Sequence, residues 1–433
     1  MLVAVVMLFV IGAMAALSID LVTLYTARSE AQQAADGAAL AGARVLANSG
    51  MTSASDSTVG VAAVPLATAV AQQVAASNPV GGRNLNPAGA CPGGEICVSI
   101  SELASNFVAN PHVTVQVQRS DLPTFFARIW GRTTITVKAS ATAEAYNPSN
   151  VPGTSVNPKL PVAPMCVKPW LLPNIDPSNP DNPIFDTTSG AVQTTTLLGW
   201  VTPPGGGPGA IRLRTNCTTC TATSTPNKWR YYPGDPADFP PPSASSVVCP
   251  GCTGFTNPNY QLSIAGCVQT PISCSSPATS PVHIDPAPDG VRDTETRQAV
   301  DGLTHSTAND GDSVDTTTAP SPPFQFLAGS DNPVVLSGAL AAGTDIMVSD
   351  SLVTVPVINV DSTTPLPLAG FPSVRIIGFV QLFLNPTGAS APFNGHIHTR
   401  VTNLVGCGTG IAATQPILGN GASPVAVRLI SPP

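Results

Sequence analysis

The sequence predicts an α+β protein in which a long N-terminal membrane and stem helix leads into a small helix-plus-strand domain, followed by a loop-rich, mainly-β, sandwich-like domain. Three observations predict this fold. The first 17 residues carry no charge, alanine then recurs at helical spacing up to residue 47, and short alternating strands separated by prolines dominate the rest. We expect four segments, namely a transmembrane segment (1–25), a stem helix with an α+β domain (26–146), a proline-rich linker (147–164) and a β-rich extracytoplasmic domain (165–433).

Composition argues against a cytosolic enzyme and against a nucleic-acid partner. Charged residues make up 10% of the chain and 46 residues are proline, whereas about 25% of an average soluble domain is charged. Such a surface is common in exported, turn-rich β proteins. The net charge of −7 offers no basic face for phosphates. Much of the negative charge lies in residues 285–315, for which we expect a solvated acidic loop rather than a calcium site.

The N-terminal segment is apolar enough to enter a membrane. Residues 1–17 lie at the short end of what spans a bilayer, and apolar residues resume after Asp20, so a tilted span can extend to Tyr25. A cleaved signal peptide is the alternative, because Ala13-Met14-Ala15 resembles a cleavage site. No basic segment precedes the apolar run and no helix breaker follows it. We therefore expect one nearly continuous helix over residues 1–47.

The stem of this helix has a packing face made of small residues. At 100° per residue, a stripe of alanine and glycine lies opposite Arg28, Gln32 and Asp36, which we expect to face water. Such a face lets another backbone approach closely, from the protein's own β domain or from a neighbouring subunit, including a second copy in a homo-oligomer. Asp20 shares the face, either as a residue at the water interface or as a contact that sets the register with a partner. The predicted helix-packing interface is Asp20, Ala31, Ala34, Ala38, Ala41 and Gly42.

Three N-terminal segments resemble a known family. They are Ser18-Ile-Asp-Leu21, Tyr25-Thr-Ala-Arg28 and the alanine-rich run from Glu30 to Ala43. They resemble the N-terminal domain of TadG-like Flp-pilus-assembly proteins, and the order of elements resembles that domain up to about Tyr146. The sequence departs from the family in lacking a short basic segment before the span. The resemblance implies a membrane-anchored, non-catalytic envelope component with an extracytoplasmic C-terminal bulk, whose partners are the membrane and other envelope or pilus-assembly subunits.

Periodicity predicts the remaining elements. A second helix is expected at 59–77, strands at 113–119 and 133–145, and a short apolar helix at 122–130. Further strands are expected at 334–336, 352–360, 374–384, 397–405 and 425–429, with one helix near 294–303.

The ten cysteines are best explained as disulfides in an oxidising compartment. A Pro-Gly-Gly turn separates Cys91 from Cys97, so we expect these two to be bonded to each other. Two CxxC pairs would alternatively suit a four-thiolate zinc site at Cys217, Cys220, Cys249 and Cys252. The candidate disulfide cysteines are Cys91, Cys97, Cys166, Cys217, Cys220, Cys249, Cys252, Cys267, Cys274 and Cys407.

The sequence shows no recognisable catalytic motif. His396 and His398 would share one face of a strand, and a solvent-facing pair is favoured over a metal site because no third ligand is evident. No nucleophile elbow, zinc-protease motif or P-loop occurs. We therefore expect neither enzymatic activity nor a cofactor. A secreted adhesin or ligand-binding β module is the alternative function, and retention of the N-terminal segment in the mature protein would separate the two.

Overall fold

The structure of the protein is a computed structural model. It describes residues 2–54, 57–89, 91–103, 110–150, 160–177, 179, 182–194, 197–199, 211–213, 229–243, 254–274, 282–285, 293–305, 311–315, 322–346, 348–360, 373–388, 396–407, 417–418 and 422–430.

Five α-helices and eighteen strands are assigned within these residues. The helices are α1 (Leu2–Asn48), α2 (Ser57–Ser77), α3 (Pro258–Ala265), α4 (Asp293–Thr304) and α5 (Pro333–Leu336), with short 3-10 turns at Met51–Ser53, Ala127–Trp130 and Pro148–Asn150. The strands are β1 (Ile96–Ser101), β2 (His112–Pro123), β3 (Thr134–Tyr146), β4 (Val162–Ala163), β5 (Trp170–Pro173), β6 (Ile211–Leu213), β7 (Trp229–Pro233), β8 (Val282–His283), β9 (Ser313–Val314), β10 (Phe326–Leu327), β11 (Asp345–Ile346), β12 (Leu352–Ile358), β13 (Ser373–Val374), β14 (Ile376–Leu384), β15 (His396–Ile397), β16 (Thr399–Gly406), β17 (Ile417–Leu418) and β18 (Ala426–Ile430).

Helix α1 runs without a break from Leu2 to Asn48, which confirms the predicted continuous helix. Alanine and leucine favour this conformation, and the segment contains no proline. The chain leaves the helix through Gly50, whose φ of 81° is a left-handed conformation that other residues rarely adopt. A Cβ atom on Gly50 would lie 2.6 Å from the carbonyl oxygen of Thr402, so the close approach also requires glycine.

Helix α2 lies beside α1, and small residues line the contact. Its alanines at four-residue spacing are fully buried, and they are Ala63, Ala67, Ala71 and Ala75. The approach is closest at Gly42 of α1, where an added Cβ would lie 3.0 Å from Val113 Cγ1 and 3.3 Å from the Ala67 carbonyl oxygen. Glycine and alanine therefore let α1 pack against α2 and the adjoining sheet simultaneously.

The first sheet contains four antiparallel strands in the order β1–β2–β3–β18. Along β2 every second side chain points inward. These inward side chains join the core formed by α1 and α2, and they belong to Val113, Val115 and Val117. The fourth strand comes from the end of the chain, and Arg428 Nη2 lies 2.8 Å from Glu144 Oε2 across the β3–β18 pair. This sheet therefore draws strands from both sides of the proline-rich segment.

The largest sheet is mixed, with seven strands in the order β15–β6–β7–β5–β12–β14–β16. On one face, Val353, Val355 and Val357 of β12 pack in a core with Tyr260 of α3 and Val300 of α4. Helices α3 and α4 thus cover this face of the sheet, where a sandwich-like domain would have a second sheet. The fold is α+β with a mainly-β C-terminal region, as predicted.

Some local predictions were wrong. Residues 334–336 form helix α5 instead of a strand, because Asn332 caps the turn through a bond from the Val334 N–H and Pro333 occupies its first position. The expected helix at 122–130 is replaced by the end of β2 and the turn Ala127–Trp130. Helix α3 was not predicted.

Three disulfides lie within the described residues. Cys91 and Cys97 are bonded, which confirms that prediction, and their Cα atoms are 5.6 Å apart. Cys166 pairs with Cys267, and the third bond joins Cys274 to Cys407. The second and third bonds close loops with sequence separations of 101 and 133 residues, so they connect distant parts of the C-terminal region.

The α1–α2 contact predicts opposite effects for two glycines of α1. Gly42→Leu should lower the free energy of unfolding by about 1–3 kcal/mol, because the side chain overpacks a filled contact. At Gly37 an added Cβ meets only Val74 Cγ1, at 3.9 Å, so Gly37→Ala should raise stability by up to about 1 kcal/mol through helix propensity. Denaturant unfolding in detergent measures both. A Gly42→Leu variant as stable as the parent would contradict the close-packed contact.

Candidate anchor and docking site of the N-terminal helix

The first half of α1 exposes apolar side chains on all sides. Ten large apolar residues between Val3 and Tyr25 have 49–70% of their surface exposed, and they are Val3, Met7, Val10, Ile11, Met14, Leu17, Ile19, Leu21, Val22 and Tyr25. Water-soluble surfaces rarely carry a contiguous apolar region of this size. We call residues 2–25 the apolar segment.

The hydroxyl groups in and next to the apolar segment are satisfied by the helix itself. Ser18, Thr23 and Thr26 each donate to a carbonyl oxygen three or four residues earlier, at 2.6, 3.0 and 3.0 Å. Polar groups that are paired within a helix need no water, so these side chains are compatible with a lipid environment or its boundary.

Two helices, α1 and α2, are long and apolar enough to cross a membrane. Their surroundings differ. One face of α2 is buried against α1 in the core of the first sheet, so α2 has the contacts of a core helix. The apolar segment of α1 extends away from such contacts until Asp20, and it is therefore the candidate anchor.

The stem face predicted from the sequence packs against the protein's own domain. Ala31, Ala34 and Ala38 are fully buried and Gly42 is buried, all within the core shared with α2 and the first sheet. Ala41 is half-buried and lies at the edge of the buried stripe.

The opposite face of the stem is largely polar and exposed, as predicted. Arg28 and Gln32 are exposed, and Asp36 is half-buried. Gln32 Nε2 donates to Asp36 Oδ1 at 2.8 Å and to the Ser140 carbonyl at 3.2 Å. The small-residue face on the other side of the stem packs against the domain of the same molecule, so a neighbouring subunit cannot contact it without displacing that domain.

Asp20 joins the apolar segment to the hairpin between β2 and β3. It is 7% exposed, and its carboxylate accepts three backbone N–H groups. Phe125 donates to Oδ1 at 2.8 Å, while Phe126 and Ala127 donate to Oδ2 at 3.0 and 2.7 Å. These donors begin the 3-10 turn Ala127–Trp130 and lack partners inside it, so Asp20 caps that turn from a distant position in the sequence. Asp20 thus contacts the backbone of its own chain, and the register-setting contact with another subunit stays a prediction.

The other end of α1 docks on the large sheet through buried amides. Asn403 Nδ2 donates to the Ala47 carbonyl at 2.7 Å and also to Gln381 Oε1. Gln381 Nε2 donates to Asn48 Oδ1 at 3.4 Å, and Ser53 Oγ donates to Asn403 Oδ1 at 3.2 Å. Asn403 and Gln381 are fully buried. Asn403 supplies a donor to one of the last carbonyls of α1, which have no partners within the helix, and Gln381 binds the side chain of Asn48.

A β-bulge places these amides under the helix end. Gln381 of β14 pairs with Asn403 of β16, but Leu382 pairs with Val401, so Thr402 is the extra residue. Sequence reasoning missed this site. The available signal was Gln381, the one polar residue of the otherwise apolar strand β14, together with Asn403 in β16.

The cysteine and histidine predictions have mixed outcomes. Cys217, Cys220, Cys249 and Cys252 lie outside the described residues, so the choice there between disulfides and zinc stays open. Within the described part of the chain, no group of three or more His, Cys, Asp or Glu side chains is arranged to hold a metal ion.

The prediction of a solvent-facing histidine pair was wrong for His398. This residue is 9% exposed, and neither ring nitrogen has a hydrogen-bond partner among the residues that the structure describes. Burial, together with the positive charge of Arg400, lowers the pKa of His398 to about 4, so the ring is neutral at physiological pH. The side chain of His396 lies outside what the structure describes.

A buried lysine supports the C-terminal region. Lys168 is 3% exposed, and its ammonium group donates to the carbonyls of Ile264 and Gly266 at 2.5 and 2.6 Å. These carbonyls belong to the C-terminal end of α3, where carbonyl oxygens lack N–H donors within the helix. Burial lowers the pKa of Lys168 to about 7, against the opposing effect of Asp350. The group lies beside the Cys166–Cys267 bond, and its role is to hold α3.

The comparisons with known proteins concern the same N-terminal segment. Residues 1–45 match the Tad family model, which is described as Flp pilus-assembly TadE/G-like. The match confirms the resemblance over the apolar segment and most of the stem. No curated protein and no solved structure matches the chain significantly.

The Asp20 contact predicts a local change in hydrogen exchange. Asp20→Asn replaces one of the two carboxylate oxygens by an NH2 group that cannot accept, so at least one of the amides of Phe125, Phe126 and Ala127 loses its partner and should exchange faster. Amide exchange of the full chain in detergent measures this. Asp36→Asn is the matched control, because Asp36 contacts a side chain on its own helix. Unchanged protection of residues 125–127 in Asp20→Asn would contradict the capping role.

Proposed function

We propose that this chain is a membrane-anchored, non-catalytic envelope component that acts in Flp/Tad-type pilus assembly or surface structure, with its C-terminal bulk outside the cytoplasm. The observation that carries the proposal is the division of α1. Between Val3 and Tyr25 the described apolar side chains of this helix are mostly exposed, whereas from Ala27 onward one face of the same helix is buried in the folded domain.

The family match supports the same placement, because it covers the anchor and stem and connects them with pilus assembly. Disulfides support an extracytoplasmic location for the remainder, since such bonds persist in oxidising compartments. The function is mechanical in this account. A single helix transmits position from the membrane to both sheets, without a flexible joint between them.

The closure of the small-residue face restricts how other subunits bind. Contacts through Ala31, Ala34 and Ala38 would require the domain to open, because these side chains are fully buried. We therefore propose that partner subunits contact the apolar segment within the membrane or the outer surfaces of the domain. Homo-oligomerisation through the helix would use residues of the apolar segment that precede Asp20 in the sequence.

Charges placed in the apolar segment should release the protein from the membrane. Val10→Asp combined with Met14→Asp puts two carboxylates at exposed positions of the segment, at a cost of about 2.5–3.5 kcal/mol each at a bilayer centre. We expect the variant to fail to enter the alkali-resistant membrane fraction and to lose its role in surface pilus formation.

The control is Leu336→Asp, at a position that is 72% exposed on α5. It should fractionate and assemble like the parent. Formation of the Cys274–Cys407 bond, read from gel mobility without reductant, reports whether each variant reaches an oxidising compartment and folds. If the Val10→Asp/Met14→Asp protein stays in the membrane fraction and supports pilus formation, the proposed anchoring is wrong.

A further inference from the structure

The hairpin between β2 and β3 ends in a tip closed by backbone hydrogen bonds. We define the tip as residues 124–132. Its backbone is closed by bonds from the Gly131 N–H to the Arg128 carbonyl at 3.0 Å and from the Arg132 N–H to the Ala127 carbonyl at 3.2 Å. Gly131 has a φ of 81°, which allows this tight reversal. The backbone of the tip is therefore held by its own hydrogen bonds.

The tip lies at the level where the apolar segment meets its first charge. Asp20 is the first charged residue that follows the apolar run of residues 1–19. A charged side chain is costly within the hydrocarbon core of a bilayer, which favours a position at its edge. Asp20, which holds the tip through Phe125, Phe126 and Ala127, therefore lies at the headgroup boundary once the segment is inserted. This step rests on the proposed anchoring.

The exposed chemistry of the tip matches an anionic lipid surface. Phe125 is 59% exposed, although exposure of a large apolar side chain to water is unfavourable. Arg128 and Arg132 are exposed, and no acidic residue occurs between Thr124 and Arg132. The neighbouring carboxylate of Asp20 is already engaged by backbone N–H groups. Aromatic side chains favour the headgroup layer, and arginine binds lipid phosphates.

We propose that the hairpin tip is a second membrane contact, which seats Phe125 in the headgroup layer and binds anionic phospholipid through Arg128 and Arg132. A single membrane helix leaves the domain free to rotate about the helix axis. A contact on one side of the helix fixes that rotation and the tilt. Asp20 is the positioning residue of this contact, because its carboxylate holds the backbone of the tip against α1.

Photocrosslinking of the full chain in bilayers tests the proposal. A benzophenone amino acid replaces Val10, Phe125 or Leu336 in separate proteins, all at exposed positions. The site at 336 is the control, and it follows β10 in the sequence. Phe324, just before β10, donates its N–H to the Ser49 carbonyl at the C-terminal end of α1. That end lies about 40 Å along the helix from Asp20. The proteins are reconstituted into phosphatidylcholine bilayers with and without phosphatidylglycerol, and the lipid attached after irradiation is counted.

We expect phospholipid adducts at 10 and 125 and none at 336, with the yield at 125 higher in the anionic bilayer. Arg128→Gln with Arg132→Gln should reduce that anionic preference by roughly fivefold for each arginine and leave the yield at 10 unchanged. Lys138→Gln is the matched control, because Lys138 is exposed on β3 about 20 Å along the strand from Arg132. Asp20→Asn should lower the yield at 125 only.

Adducts at 10 without lipid adducts at 125 would overturn the proposal and leave the anchoring intact. Adducts at 125 to protein instead of lipid would also overturn it, in favour of a subunit contact at the tip. Loss of lipid adducts at 10 as well would show that the anchoring itself is wrong.

Discussion

Two polar contacts at opposite ends of the stem fix helix α1 in the fold. At the N-terminal end of the stem, the carboxylate of Asp20 binds the backbone of the β2–β3 hairpin. At the C-terminal end, Asn403 and Gln381 bind the final turn of the helix. Between these contacts the buried face of the helix presents mostly methyl groups, which form no directional bonds. The polar contacts have defined partners, so they select one register and orientation for the helix and hence for the membrane segment continuous with it.

Small residues are needed along the stem because α1 is covered on more than one side. Gly42 touches both α2 and β2, and a Cβ atom there would meet Val113 Cγ1 at 3.0 Å. Larger apolar residues would bury more area but would separate the helices from the sheet. Close packing of backbones stabilises the assembly through many short contacts. It also closes this face to other proteins, so further subunits must bind elsewhere.

Local patterns predicted much of this structure. The continuous α1, the alternating strands β2 and β3, and the Cys91–Cys97 bond all follow from periodicity and turn chemistry within a few residues. Non-local pairings could not be predicted in this way. Arg428 and Glu144 are 284 residues apart, and nothing in either strand names its partner. The same holds for Asp20, whose partners are main-chain N–H groups and leave no mark in the sequence.

The central claim is that one rigid helix carries position from the membrane into the fold. A pulsed-EPR distance between spin-labelled non-natural amino acids at Met14 and Gln33, both exposed, tests it directly in bilayers. An unbroken helix separates the two positions by about 28 Å along its axis, so the account predicts one narrow distribution near 30 Å. A broad distribution, or a second population at clearly shorter distance, would reveal a hinge between the apolar segment and the stem and would contradict the claim.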